Sequence, residues 1–132
     1  IKHYHAHMSD IKEQRSKRFA QLIGYELKAN FAREGTSQAE VAERLGHSKS
    51  GYSRWINAKP SMPLEAFINT CELINVDPRQ VVDAAYTRLI EELGDPPTIA
   101  QVADDIASNP DLYDLAANQD ENKELEAETP RD

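Results

Sequence analysis

Apolar side chains recur at helical spacing in five successive stretches of the chain, which predicts an all-α fold. We expect a long first helix from about Ser9 to Gly35, with Ser9 or Asp10 as its N-cap. Two short helices joined by a tight turn come next, and two longer amphipathic helices follow. The predicted ranges of these four helices are 37–46, 48–57, 63–75 and 77–93.

Side chains with capping chemistry mark the helix starts. Ser37 followed by Glu40 forms a capping box, in which the hydroxyl accepts from a first-turn amide and the carboxylate reaches back. Gly46 suits the left-handed C-terminal cap of that helix, and Ser48 can cap the next one. Asp77, directly followed by proline, is a start signal of the same kind for the fifth helix.

Three of the helices carry long apolar faces that are expected to meet in one core. The face of the first helix comprises Phe19, Leu22, Ile23, Leu27 and Phe31. The fourth contributes Leu64, Phe67, Ile68, Cys71 and Ile74, and the fifth Val81, Val82, Ala85, Tyr86, Leu89 and Ile90. Gly24 lies within the first stripe at a cost of roughly 1 kcal/mol relative to alanine, which close helix packing would explain.

The chain beyond the fifth helix is expected to form an appendage. A Gly-Asp-Pro-Pro break covers residues 94–97, and Thr98 with Gln101 then signals a short helix carrying Ile99, Val102 and Ile106. The helical extension, residues 94–117, could pack on the fifth helix, form a dimer contact or bind a second protein. Residues 118–132 hold six acidic and two basic side chains, a composition that predicts a disordered acidic tail.

Charge is segregated along the chain, which has a net charge of −8. Residues 1–60 hold 11 Lys and Arg against 6 Asp and Glu, whereas residues 61–132 hold 4 against 17. A basic face in the first part can bind phosphates while the acidic remainder repels them. The basic start of the first helix could face phosphates or simply be solvated; it comprises Lys12, Arg15, Lys17 and Arg18.

The remaining composition favours a soluble cytoplasmic protein of one domain, residues 9–93, that needs no cofactor. The single cysteine, Cys71, excludes an intramolecular disulfide and lies on an apolar stripe, so we interpret it as structural. No apolar run approaches a membrane span, and no signal peptide is visible. Residues 1–7 alternate histidine with other residues before Met8, and a vector-derived leader is favoured there over a metal site.

The segment from Ser37 to Lys59 reads SQAEVAERLGHSKSGYSRWINAK and resembles the helix-turn-helix of phage-repressor and Cro-like regulators, the XRE type. That family's pattern runs T-Q-x-E-L-A-x-x-x-G-h-S-x-x-x-h-S-R-W-E-N-G, where h is apolar. The residues that match it are Gln38, Glu40, Val41, Ala42, Gly46, Ser48, Ser53, Arg54, Trp55 and Asn57.

The chain departs from the pattern at His47, Tyr52, Ile56 and Ala58. The first two suit a half-buried turn, but nothing in the sequence explains Ile56 in place of glutamate. Ala58 replaces a glycine, and Asn57 tolerates the left-handed conformation if Ala58 cannot supply it.

The resemblance implies a compact five-helix repressor-like bundle over residues 16–93, whose second motif helix lies in the major groove. The base contacts that it implies are Gln38, Lys49, Ser50 and Arg54. The phosphate contacts that it implies are Ser37, Ser48, Ser53, Asn57 and Lys59. Arginine or lysine can donate to guanine, so at least one guanine is expected in the site. Gln38 and Asn57 could instead only cap helices.

These features together predict a sequence-specific DNA-binding transcriptional regulator, a repressor that binds double-stranded DNA as a homodimer. The alternative is an antitoxin or adaptor whose C-terminal half binds a partner protein. An enzyme is not expected, because no metal-ligand spacing, phosphate-cradling loop or nucleophile–base pattern follows Met8.

Overall fold

The computed structural model describes residues 2–108, and for residues 2–9, 99, 102 and 105 it describes the backbone alone. Over this range the protein is all-α, as predicted, with helices α1 (Lys2–Arg33), α2 (Gln38–Arg44), α3 (Lys49–Ile56), α4 (Leu64–Leu73), α5 (Pro78–Leu93) and α6 (Ile99–Ser108). The chain divides into the compact unit Glu13–Gly94 and a second unit that contains residues 2–12 and 95–108. The predicted acidic tail lies outside the described residues.

The predicted start of α1 is wrong, because the helix begins at Lys2 and passes through both proposed caps, Ser9 and Asp10. Residues 2–8 contain neither glycine nor proline, so no residue among them interrupts helical backbone. The capping side chains at the starts of α5 and α6 behave as predicted. Asp77 accepts from the amide of Arg79 at 2.9 Å, and Thr98 and Gln101 bond reciprocally at 3.1 and 2.7 Å.

Two buried clusters hold the unit Glu13–Gly94 together. The larger joins all five of its helices and comprises Leu27, Phe31, Val41, Ala42, Tyr52, Ile56, Phe67, Cys71, Ile74 and Val81. The smaller joins α1 to α5 and comprises Leu22, Ala85 and Leu89, with Phe19, Ile23 and Leu93 packed against it. The predicted stripe of α1 therefore supplies both clusters, and each fully buried Leu or Ile contributes roughly 1.5–3 kcal/mol.

The predicted apolar faces of α4 and α5 need correction. Leu64 and Ile68 of α4 are exposed, whereas Ala66, Phe67, Thr70, Cys71 and Ile74 are buried. Thr70 can be buried because its hydroxyl and that of Tyr52 form a hydrogen bond of 2.5 Å. On α5, Val82 and Tyr86 are 40% and 44% exposed, and Val82 lines an apolar groove of about 260 Å³ together with Leu64 and Phe19.

The basic stretch of α1 around Arg15 and Arg18 fastens this helix to the end of α5. Arg18 forms two hydrogen bonds with the carboxylate of Glu92, at 2.6 and 2.8 Å, and Arg15 donates to the carbonyl of Gly94 at 2.7 Å. The Arg18 guanidinium lowers the pKa of Glu92, and the Glu92 carboxylate raises the pKa of Arg18. Lys17 pairs with Glu13 on the same helix. The structure thus gives Arg15 and Arg18 structural partners, in place of the phosphate-facing role considered from the sequence.

Candidate nucleic-acid interface

The start of α2 is fixed by the predicted serine cap. The Ser37 hydroxyl accepts from the amide of Glu40 at 3.1 Å. The Glu40 carboxylate does not complete the reciprocal box: one oxygen accepts from the Thr36 hydroxyl and the other pairs with Arg44, both at 3.0 Å. Because one of these partners precedes the helix and the other lies in its last turn, Glu40 orders both ends of α2.

A glycine and a histidine define the turn between α2 and α3. Gly46 has a φ of 77°, and the amides of Gly46 and His47 donate to the carbonyls of Glu43 and Ala42 at 3.1 and 2.9 Å. This is the left-handed cap that the sequence predicts. The imidazole of His47 packs edge-on against Trp55, with ring centroids 4.9 Å apart, and therefore ties the turn to α3.

The buried face of α3 fixes its position against α1 and α4. Tyr52 and Ile56 are 0% and 1% exposed, one helical turn apart. A Cβ built on Gly24 of α1 would lie only 2.0 Å from the carbonyl oxygen of Ile56, so the two backbones touch at this point. The isoleucine that the sequence left unexplained is thus a core residue at the closest approach of α1 to α3.

The other face of α3 holds the side chains predicted to contact bases. Lys49, Ser50 and Arg54 are exposed, and Ser53 is half-buried beside them. Gln38 is half-buried at the start of α2. Within the described part of the chain, Lys49 and Arg54 pair with no carboxylate. Their charges are therefore available to a partner.

The residues predicted to contact phosphates occupy the helix ends, and three of them also act as caps. Ser37 caps α2, and the Ser48 hydroxyl accepts from the amide of Gly51 at 3.1 Å. The side-chain amide of Asn57 donates to the carbonyl of Ser53 at 2.9 Å. Lys59, just beyond α3, is exposed.

Ala58 itself supplies the left-handed conformation at the end of α3, with a φ of 57°. Asn57 is not needed for it and has a φ of −90°. Asn57 stays near helical geometry because its side-chain amide donates to the carbonyl of Ser53, four residues earlier. Its Oδ1 also accepts from the Nζ of Lys28, on α1, at 3.2 Å. No spacing in the sequence indicates this contact, which joins residues 29 positions apart.

Residues 27–81 match the family model described as Helix-turn-helix, whose members are DNA-binding domains of the Cro/C1 type and not enzymes. The chain carries an XRE-type helix-turn-helix domain. Residues 27–81 are accordingly a DNA-binding domain of this type. Neither the curated proteins nor the solved structures contain a significant match to the chain. Among the described residues, no helix is both long enough and apolar enough to span a membrane.

The positive charge around α3 suits DNA, the ligand of an XRE-type domain. Residues 44–64 carry four cations, Arg44, Lys49, Arg54 and Lys59, and contain no Asp or Glu. Such a local concentration of positive charge attracts phosphates even though the net charge of the chain is −8. The acidic residues of the described α4 and α5 lie outside this stretch.

Cys71 has no place in the interface of the XRE-type domain. Its side chain is fully buried, and burial raises the pKa of the thiol to about 11. A thiol that stays protonated at neutral pH is a poor nucleophile and metal ligand. The structural interpretation of Cys71 therefore fits its surroundings.

Proposed function

We propose that this protein is a transcriptional repressor that binds a two-fold DNA site as a homodimer and carries out no catalysis. The observation that supports direct base readout is the exposed face of α3, where Lys49, Ser50 and Arg54 lie together without a carboxylate partner among the described residues. The opposite face of α3 is buried, so the XRE-type domain can offer this helix to the major groove in one orientation only.

Each side chain on this face has a role suited to its chemistry. We assign base contacts to Lys49, Ser50 and Arg54, with Gln38 at the neighbouring helix start. Arginine and lysine donate to the O6 and N7 atoms of guanine, and one good bidentate contact discriminates by about 1–3 kcal/mol. Phosphate contacts are assigned to Ser37, Ser48, Ser53, Asn57 and Lys59, which fix register without reading sequence.

The experiment that tests base readout is selection of bound duplexes from a random pool, with the wild type, Arg54→Ala and the control Arg88→Ala. Arg88 lies on α5, is half-exposed and is 3.7 Å from Glu92, so the control removes an equal charge outside the proposed interface. We expect the wild type and Arg88→Ala to enrich the same two-fold site containing guanine. In Arg54→Ala, the preference for guanine at one position of the DNA site should fall by roughly 5- to 150-fold, the equivalent of about 1–3 kcal/mol. Equal enrichment by Arg54→Ala would refute readout by this residue.

The proposed dimer is supported by apolar surface that the unit Glu13–Gly94 leaves exposed. Val82 and Tyr86 stand on one side of α5, and Leu64, which is 83% exposed, lies beside Val82 along the apolar groove. A single module of this size forms a small DNA interface, whereas a dimer doubles it. Sedimentation should show a dimer that Val82→Glu dissociates and the neighbouring exposed change Asp83→Lys does not. A wild type that remains monomeric when bound to DNA would contradict this part of the proposal.

A further inference from the structure

A lysine outside the helix-turn-helix motif reaches the end of α3. The Nζ of Lys28 donates to Asn57 at 3.2 Å, and Asn57 in turn donates to the carbonyl of Ser53 at 2.9 Å. The Lys28 ammonium also lies 6.0 Å from the centroid of the Tyr25 ring. Lys28, Asn57 and Tyr25 are all exposed. An ammonium group carries three N–H donors, so the single bond to Asn57 leaves two for a ligand.

The C-terminal end of a helix repels phosphate unless cations are placed there, because its carbonyls carry partial negative charge. At the end of α3 the carbonyls of Ser53, Arg54 and Trp55 accept from the amides of Asn57, Lys59 and Ala58, respectively. These bonds satisfy the carbonyls but leave the region without a free backbone donor for an anion. A phosphate at this end therefore needs side-chain cations. Arg54, in the last turn of α3, is assigned to a base, whereas Lys28 bonds the C-cap residue Asn57 and Lys59 follows it by two positions.

Asn57 lies at the opposite end of α3 from Lys49, the first of the α3 residues proposed to contact bases. Lys49, Ser53 and Asn57 follow one another at intervals of four residues and so form one row along the helix. Eight residues rise by about 12 Å, so Asn57 lies more than two helical turns from Lys49. With Lys49 at the base edges, Asn57 and the Lys28 ammonium come to the flank of the groove, where the phosphates run.

We propose that Lys28, oriented by Asn57, binds a backbone phosphate of the DNA at the C-terminal end of α3. The inference rests on the proposed function and extends its interface from the helix-turn-helix to α1. It assigns to Lys28 a contact that adds affinity for any sequence, in contrast to the sequence-reading roles of Lys49 and Arg54.

The test compares Lys28→Ala, Lys28→Gln and Lys17→Ala with the wild type, by fluorescence anisotropy against the selected duplex and a random duplex. Glutamine retains a donor for Asn57 but removes the charge. Lys17 is an exposed lysine of the same helix that pairs with Glu13, so its loss controls for net charge. Salt is varied from 50 to 200 mM, and circular dichroism verifies that each variant is folded.

We expect both Lys28 variants to reduce the slope of log K against log salt by about 0.9, the value of one phosphate contact. This slope corresponds to a loss of affinity of roughly 5-fold at 150 mM salt and roughly 15-fold at 50 mM, equal for the two duplexes. Lys17→Ala should leave the slope unchanged. The slopes of Lys17→Ala and of the wild type are the values with which the slopes of the two Lys28 variants are compared.

A wild-type slope in Lys28→Ala would overturn the inference. So would Lys28→Gln behaving as the wild type while Lys28→Ala binds weakly, because Lys28 would then act only by positioning α3. Failure of the proposed function has a different signature, since the wild type would then fail to distinguish the selected duplex from the random one. The slope measured on the random duplex tests Lys28 in either case.

Discussion

Gly24→Ala should separate α1 from α3 and destabilise the protein. The added Cβ would lie 2.0 Å from the carbonyl oxygen of Ile56 and 3.1 Å from its carbonyl carbon, whereas Cβ contacts below 3.0 Å essentially never occur. The helices must therefore move apart by about 1 Å or more, because a backbone carbonyl cannot rotate away as a side chain can. Overpacking of this kind costs up to about 3 kcal/mol, and the better helix propensity of alanine returns about 1 kcal/mol.

The net loss of about 2 kcal/mol corresponds to a fall in Tm of roughly 8–16 °C for a domain of this size. Thermal and urea unfolding followed by circular dichroism at 222 nm would measure it. Gly51→Ala is the matched control, a helical glycine whose added Cβ would meet only the Ser48 hydroxyl, at 2.7 Å. That hydroxyl can rotate, so the control should stay within about 1 kcal/mol of the wild type. A Tm of Gly24→Ala equal to or above that of the wild type would refute the close approach of the two helices.

Four further predictions concern stability and reactivity. Ala58→Gly should raise the free energy of unfolding by about 0.5–1 kcal/mol in urea titrations, because Ala58 has a φ of 57° that glycine adopts freely; an unchanged or lower value would contradict this. Tyr52→Phe should lower it by about 1 kcal/mol, since the Thr70 hydroxyl loses its buried partner, and a double-mutant cycle with Thr70→Val measures the coupling. Burial raises the pKa of Cys71 to about 11, so the thiol should react with disulfide reagents at pH 8 only as fast as the protein unfolds. Because the unfolded thiol ionises near pH 9.0 and the native one near 11, stability should fall as pH rises between these values, and a stability independent of pH there would count against a buried thiol.

Local signals in the sequence predicted the elements of the fold well. Ser37, Ser48, Asp77 and Thr98 act where their capping chemistry indicated, and Gly46 takes the left-handed conformation of the predicted turn. Each of these signals concerns residues within about five positions of one another. Such effects are readable from a single sequence because the backbone itself brings the interacting groups together.

The errors arise where a distant residue decides the outcome. Leu64 and Ile68 belong to the predicted core face of α4, but the helix buries Ala66 and Thr70 instead, and the hydroxyl of Tyr52 satisfies that of Thr70 there. Ile56 departs from the family pattern because it is a core residue at the contact with Gly24, which is distant in sequence. Periodicity gives the width of an apolar face, whereas its rotation depends on partners that are far away in sequence.

In the candidate interface too, local patterns predict some positions, whereas contacts between residues distant in sequence decide others. The exposed positions of Lys49, Ser50 and Arg54 follow from the helical period of α3 once Tyr52 and Ile56 are buried. Lys28 could not be found in this way, because its contact with Asn57 spans 29 residues and two helices. The pattern residues that the chain matches run from Gln38 to Asn57 and do not include Lys28, so the contribution of this lysine becomes visible only in three dimensions.

The central claim is that the exposed face of α3 enters the DNA. The most direct test is two-dimensional NMR of the labelled protein titrated with a duplex selected from the random pool. We predict that the amide shifts are concentrated at residues 37–38, 48–54 and 57–59. Val82 and Tyr86 of α5 should shift no more than they do when the free protein dimerises. Shifts centred on α5, with Lys49 and Arg54 unchanged at saturation, would contradict it.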